Sequence, residues 1–344
     1  MVDVDAGVTA VSAADHEPPD DRRIVVPGIG TTGVLHVQRA DASAQLLNTY
    51  SFPHVFTTQD DNQTISSFLE PLIDRTTRGE SFSIIADGFS GTGKSHTLLE
   101  GPGSIAKFVL DLCFGVKKLP EIWFTAAEVH HPSSKMSHQD GTEIRRILFD
   151  QTQLVSIRSR SREMDMNDGL PGKPVAYSAS SSEALGKILQ WTQARRETDA
   201  TFHNLKSSRS HLICRFYIPH GNGGKFGVLT LGDLAGAEPT STSAISQQLL
   251  RGRSSFEADM LSWAEGSHGA TFRGSNLAKS LRSCFATPRI PVLNSPLVVW
   301  FAHVNVTQRV LSCSQQRLTT LETITKAGVK ACAHVKRRLP IKDA

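Results

Sequence analysis

Disulfide and zinc frameworks are the first things the sequence argues against. Its five cysteines (Cys113, Cys214, Cys284, Cys313 and Cys332) are odd in number, scattered, and never paired as Cys-x-x-Cys. Such usage suits a reducing compartment. Charge of one sign is also lacking, because 37 Lys+Arg against 33 Asp+Glu leave +4, too small an excess to point to nucleic acid. The longest apolar stretch, around Pro296 to Val304, falls far short of the roughly 20 residues that cross a bilayer, so it reads as a buried strand and no membrane is expected. The first residues lack the basic start and apolar run of a secretory signal, and export is not expected. No internal repeat and no sustained heptad is found, so no coiled coil is expected in this chain and its oligomeric state stays open. With 39% hydrophobic and 20% charged residues, the 344-residue chain leaves the disordered and fibrous classes aside and suits one large α/β domain or two small ones.

Residues 1–22, rich in Ala, Asp and Pro, read as a mobile tail, and order is expected from Arg23. Candidate strands follow at Ile24 to Val26, Ser83 to Ala86, Glu121 to Phe124, Leu212 to Ile218, Phe226 to Leu231 and Leu297 to Phe301. Helical spacing of apolar residues marks Ile65 to Ile73, His96 to Phe114, Glu183 to Thr201, Phe256 to Trp263, Leu277 to Phe285 and Thr320 to Val335. Val129 to Thr142 and Glu163 to Pro174 read as surface loops. His130, His131 and His138, in the first of these, lack metal-ligand spacing. Alternating strands and helices argue for a layered α/β sheet.

One segment carries specific chemistry. Gly88-Phe89-Ser90-Gly91-Thr92-Gly93-Lys94-Ser95-His96 contains the phosphate-loop pattern of Gly, four residues, then Gly-Lys-Ser, placed after a candidate strand and before a candidate helix. Glycines are needed there because backbone N–H groups must curl around a phosphate. Lys94 would reach the β and γ phosphates and Ser95 would place its hydroxyl on Mg²⁺, with the positive end of the next helix on the same anion. The plainer alternative is a Gly-rich turn capped by Ser95.

Two further motifs fit the same ligand. Asp233-Leu234-Ala235-Gly236-Ala237-Glu238 ends a candidate strand, where Asp233 can hold a metal's water shell and Gly236 lets an N–H approach a γ-phosphate. An ordinary strand-to-helix turn is the alternative. In Asn204-Leu205-Lys206-Ser207-Ser208-Arg209-Ser210-His211, adjacent hydroxyls can complete a Mg²⁺ shell and the arginine can bridge to a carboxylate elsewhere. A Ser-rich turn before a strand is the bland counterpart.

With these residues in view, the sequence resembles a kinesin motor domain over about Arg23 to Val335. Gly88 to Thr97 is similar to the family's Gly-Gln-Thr-Gly-Ser-Gly-Lys-Thr-His-Thr loop, Asn204 to His211 matches its switch I pattern Asn-x-x-Ser-Ser-Arg-Ser-His, and Asp233 to Glu238 matches switch II at all but Ala237. Weaker likenesses lie at Tyr50 to Phe56, at Arg195 to Thr201 before switch I, and at Leu321-Glu322-Thr323. The resemblance implies a three-layer P-loop NTPase fold, with a central mainly parallel or mixed sheet flanked by helices on both faces. It implies that Lys94 and Ser95 bind phosphate and Mg²⁺, that Ser207 and Ser208 close over metal and attacking water, and that Gly236 senses the γ-phosphate. Arg209 and Glu238 would form the salt bridge between the switches, and Pro27 and His96 would flank adenine.

Departures from the family pattern are local. Ile24-Val25-Val26-Pro27 keeps only the proline of Arg-x-Arg-Pro; Asp87 stands for Tyr and Phe89 for Gln. Asp87 either adds a charge near the nucleotide or is solvated at the mouth of the loop. The family's Asn-x-Ser-Leu helix is hard to find in Ser254 to Gly266, and Phe272 to Ala278 loses a lysine and an aspartate. Arg158, Arg160, Arg162, Arg251, Arg253, Arg273, Lys279 and Arg282 remain as basic candidates for the acidic tubulin surface. Lys336-Arg337-Arg338 lies in a basic extension, 336–344, after the motor-like domain.

The sequence therefore predicts a kinesin-like, microtubule-associated ATPase using ATP and Mg²⁺, located in the cytoplasm on the microtubule cytoskeleton. A rival expectation is a kinesin-like binding or scaffold module with weak catalysis or no motility.

Overall fold

A computed structural model describes residues 2–3, 22–26, 34–39, 46–51, 56, 60–88, 92–130, 143–146, 176–201, 210–221, 225–236, 244–264, 271–285 and 297–303. Two compact units divide the chain: Met1–Asp60 with Glu257–Thr271 and Ala302–Ala344, and Asp61–Phe256 with Phe272–Phe301. The smaller contains an antiparallel sheet in the order β1 (Val2–Asp3), β2 (Arg22–Val26), β3 (Val34–Arg39) and β4 (Leu46–Ser51). Val2 and Asp3, within the stretch read as a tail, pair with Val26 and Val25.

The larger unit is built on a mixed sheet. Its strands are β5 (Ser81–Gly88), β6 (Ile122–His130), β7 (Glu143–Arg146), β8 (Tyr177–Ala179), β9 (Ser210–His220), β10 (Lys225–Asp233) and β11 (Leu297–His303). They run in the order β11-β5-β10-β9-β6-β7, with β8 also on β6. β5 and β10 are parallel, whereas β10–β9, β9–β6, β6–β7 and β6–β8 are antiparallel. The run Phe82 to Gly88 is buried at every position, as expected of a strand covered on both faces. β6 continues through Val129 and His130, so the loop read from Val129 starts too early. In β11, Val298, Val299, Trp300 and Phe301 are half-buried rather than buried.

Helices α1 (Asn62–Thr77), α2 (Ile105–Leu110), α3 (Ser182–Thr201), α4 (Ala244–Ala264) and α5 (Asn276–Leu281) pack around this sheet, α4 as far as Phe256 lying in this unit. In α1, Asp61 caps the start by accepting from the Thr64 N–H at 2.7 Å, and Ile65, Leu69, Ile73 and Thr76 form the buried stripe. The single helix read from His96 to Phe114 is broken. Gly101-Pro102-Gly103 interrupts it, leaving a wide turn over His96–Glu100, closed by the Gly101 N–H to His96 carbonyl bond at 2.9 Å, before α2 starts on its Ser104 cap. Cys113, Cys214 and Cys284 are free and buried, and burial pushes the Cys113 and Cys214 thiols up to about 12.

Gly227 is where α1 presses onto β10. A Cβ there would overlap the Thr76 carbonyl oxygen and lie 2.9 Å from that of Glu80, and neither backbone group can turn away. Gly227→Ala is therefore expected to destabilise by about 1–3 kcal/mol, against the small stabilisation that Gly→Ala ordinarily brings. Urea unfolding reads the sign directly.

Candidate functional site

The sheet order brings the motifs together. Because β5 and β10 are parallel with Asp233 opposite Ala86, the carboxyl ends of both strands open on one edge, where α/β sheets place their ligands. β9 runs antiparallel to β10, with Leu212 opposite Asp233, so the start of β9 lies at that edge too. The start of the phosphate loop, the end of switch I and the start of switch II thus become neighbours through hydrogen bonding of the backbone alone.

Gly93 has φ +89°, a left-handed conformation that a side chain would strain, and its carbonyl accepts from the Thr97 N–H at 2.9 Å. This turns the chain so that Lys94 and Ser95 face the strand ends. The Ser95 hydroxyl donates to Asp233 Oδ2 at 2.5 Å. Lys94 is buried and donates to the Gly88 carbonyl at 3.0 Å. Thr92 and Gly93 are half-buried and His96 is exposed at the first position of the wide turn.

Arg196, on α3, completes this cluster although no motif assigned it a role. Its Nη1 pairs with Asp233 Oδ2 at 2.5 Å, and its Nη2 donates to the Ser210 carbonyl at 3.0 Å. A signal for it exists: Leu185, Ile188, Leu189, Thr192 and Arg196 share the buried face of α3, and Arg195 is exposed. An arginine on an apolar stripe needs an acid to meet. Burial alone pushes the Asp233 carboxyl up, but the Arg196 guanidinium, the Ser95 and Arg196 hydrogen bonds and the Lys94 charge outweigh it and hold it below the usual range. Burial likewise pulls Arg196 down, and Asp233 and Glu128 more than offset this. Among the described residues, Asp233 Oδ1 is buried and has no hydrogen-bond partner. A carboxylate oxygen beside a serine hydroxyl suits the water shell of a hard divalent cation.

Two expectations are corrected. Asp87 is neither solvated nor turned toward the loop: it is fully buried, forms an ion pair with Arg253 and accepts from Trp300 Nε1 at 3.1 Å. Arg253, read as a candidate for the tubulin surface, is buried by that pairing and donates from Nη1 to the Ala235 carbonyl at 3.0 Å. Arg251, Arg273 and Arg282 are exposed, while Lys279 is half-buried and reaches Asn276 at 3.4 Å. His211, also without an expected role, accepts the Ala235 N–H on Nδ1 at 3.0 Å. Leu234 to Gly236 are described, with Gly236 half-buried. Pro27, Phe89, Ser90, Gly91, Ser207, Ser208, Arg209 and Glu238 lie outside the described residues, as do Arg158, Arg160, Arg162 and the helix read from Thr320 to Val335.

A family model described as the kinesin motor domain matches residues 29–259, about two thirds of the chain. The kinesin-like protein Klp61F of Drosophila melanogaster is 26% identical over 232 residues, covering 60% of this chain and 20% of that protein. The kinesin-like protein KIN-5A of Arabidopsis thaliana is 27% identical over 267 residues, covering 70% and 26%. The chain spans 20% to 39% of the length of such curated relatives. Among solved structures, the motor domain of the Saccharomyces cerevisiae kinesin-related protein Kar3 has a TM-score of 0.62 at 19% identity, covering 90% of this chain and 94% of that one. The Drosophila kinesin family member Kin10/NOD, in complex with divalent manganese and ADP, has 0.62 at 18% identity, covering 91% and 94%. These structures share the layered α/β fold with the sheet described above, and the matched family model carries the assignment: the chain belongs to the kinesin motor domain family.

Proposed function

We propose that this chain binds Mg-ATP at the edge where β5, β9 and β10 meet, hydrolyses it, and couples γ-phosphate loss to switch movement at a microtubule-facing surface. The observation that carries the reading is the chain of bonds Ser95–Asp233–Arg196, buried at Asp233 and Arg196 and with Lys94 beside it, which joins phosphate loop and switch II. Family membership supports it, as does the solved relative that holds ADP and manganese.

Lys94 supplies the charge for the β and γ phosphates, and Gly236 offers its N–H to the γ-phosphate. Ser95 and, through water, Asp233 would hold Mg²⁺, which when bound neutralises phosphate charge. Ser207, Ser208, Arg209 and Glu238 take the switch I and switch II roles by their match to the motifs. Phosphoryl transfer asks little more of a protein than positioning and electrostatics. Steady-state ATP turnover with and without polymerised tubulin tests this. Turnover that tubulin stimulates is expected, and Glu238→Ala should keep nucleotide binding while losing at least a hundredfold in kcat. A chain that binds no nucleotide defeats the ATPase reading, and turnover indifferent to tubulin defeats the motor reading.

One observation favours the rival binding module: Arg253, among the basic residues expected to meet tubulin, is buried. Co-sedimentation with microtubules under ATP and under a non-hydrolysable analogue separates the two. A motor changes affinity between these states, and a static module does not.

A further inference from the structure

Ala235 is held on both sides by residues outside the phosphate-binding set. Its N–H donates to His211 Nδ1 and its carbonyl accepts from Arg253 Nη1, both at 3.0 Å. Arg253 lies on α4 one turn before Phe256, whose ring stacks on Trp300 at 5.9 Å and meets Phe285 at 5.7 Å. The same guanidinium pairs with Asp87, the residue just before Gly88, and Asp87 also accepts from Trp300 Nε1. One buried cluster therefore joins the end of β5, the switch II loop and α4.

The geometry of the peptide unit gives this cluster a consequence. A trans peptide is planar, with its C=O and N–H pointing in opposite directions. The Ala235 carbonyl belongs to the same peptide as the Gly236 N–H, so fixing one fixes the direction of the other. We propose that Arg253 is a positioning residue that aims the Gly236 N–H at the γ-phosphate, and that Asp87 holds Arg253 in place. This rests on the nucleotide-binding reading above. A planar guanidinium can serve a carboxylate and a carbonyl at once, which a lysine ammonium on a shorter reach does not. Each charge also requires the other, since either alone would be buried without compensation. An aspartate where the family pattern has tyrosine is thereby explained by a partner 166 residues away in sequence rather than by the nucleotide.

The test measures equilibrium binding of fluorescent ADP and of a fluorescent non-hydrolysable ATP analogue to the full chain, with melting temperature alongside. Arg253→Lys is expected to lower the preference for the triphosphate about tenfold and leave ADP affinity unchanged, because one hydrogen bond from a charged donor is lost. The double variant Asp87→Asn/Arg253→Met removes both charges together, which keeps folding intact, and should show the same tenfold loss. A merely structural pair predicts instead that this double variant retains the wild-type preference. That result, or a parallel loss of both nucleotides from folded protein, overturns the proposal. If the folded wild-type chain binds neither nucleotide, the nucleotide-binding reading falls first and takes this one with it.

Discussion

Replacing Arg196 with methionine is expected to lower the unfolding free energy by about 3–5 kcal/mol near neutral pH, the cost of leaving a buried carboxylate without its cation. Asp233 is 1% exposed and Arg196 8%, so water cannot take the place of the guanidinium. In the intact chain the Asp233 carboxyl is held below its unfolded value of 3.8. Its ionisation therefore favours the folded state above that value, and the contribution is lost as pH falls through the lower, folded one. Burial is already the largest single influence on this carboxyl, and without Arg196 the Ser95 hydrogen bond and the Lys94 charge remain against it, so the folded carboxyl is expected to rise above 3.8. Ionisation then works against folding at neutral pH, and this penalty disappears as the group protonates. The gap between wild type and variant is thus widest near neutrality and narrows in acid. Urea titrations in chelator at about pH 7 and about pH 5 measure it. A gap under about 1 kcal/mol, or one that widens in acid, would remove Arg196 from this role. The double variant Arg196→Met/Asp233→Asn should recover most of the loss, because no uncompensated charge remains.

How much of this was legible in the sequence depends on how far each interaction reaches along the chain. Strands such as β5 and β9 could be read because a short stretch rich in apolar residues, even one holding Arg215, needs no knowledge of its neighbours. The phosphate loop and switch II could be read because their chemistry is packed into a few consecutive residues. Helix limits were less legible: α4 starts at Ala244, twelve residues before the apolar spacing becomes clear at Phe256. The direct bonds that complete the site were less legible than the ligand its motifs share. The motifs put Ser95 and Asp233 on one Mg²⁺, but no local pattern encodes their direct bond across 138 residues or that of Arg196 to Asp233 across 37. Asp87 shows the cost of reading a residue only against a motif. Its position beside a phosphate loop suggested solvent or nucleotide, whereas the charge that decides its environment comes from α4. Arg196 is intermediate, since the helical stripe that buries it is visible while its partner is not.

Lys94→Met is expected to weaken ADP and the ATP analogue alike by about a hundredfold, roughly 3 kcal/mol, the scale of a charge-assisted bond made in a poorly solvated site. Lys94 is 7% exposed and its ammonium already donates to the Gly88 carbonyl at 3.0 Å, so little rearrangement is needed before it meets a phosphate. Stability should respond differently. Removing a buried ammonium relieves its desolvation, which opposes the loss of one hydrogen bond of about 1 kcal/mol and of its attraction for the Asp233 carboxylate, and methionine keeps an apolar stem of similar length. Folding is therefore expected to change by no more than about 1 kcal/mol, which lets nucleotide titration and thermal melting separate binding from structure. The contrast with Arg253 locates the two functions. Losing Lys94 should weaken binding of any phosphate chain, whereas losing Arg253 should remove only the distinction between two phosphates and three. Should Lys94→Met bind both nucleotides within threefold of wild type, the segment from Gly88 to Ser95 would be a capped turn, and the ATPase reading would lose the only lysine placed to meet the β-phosphate within its motif.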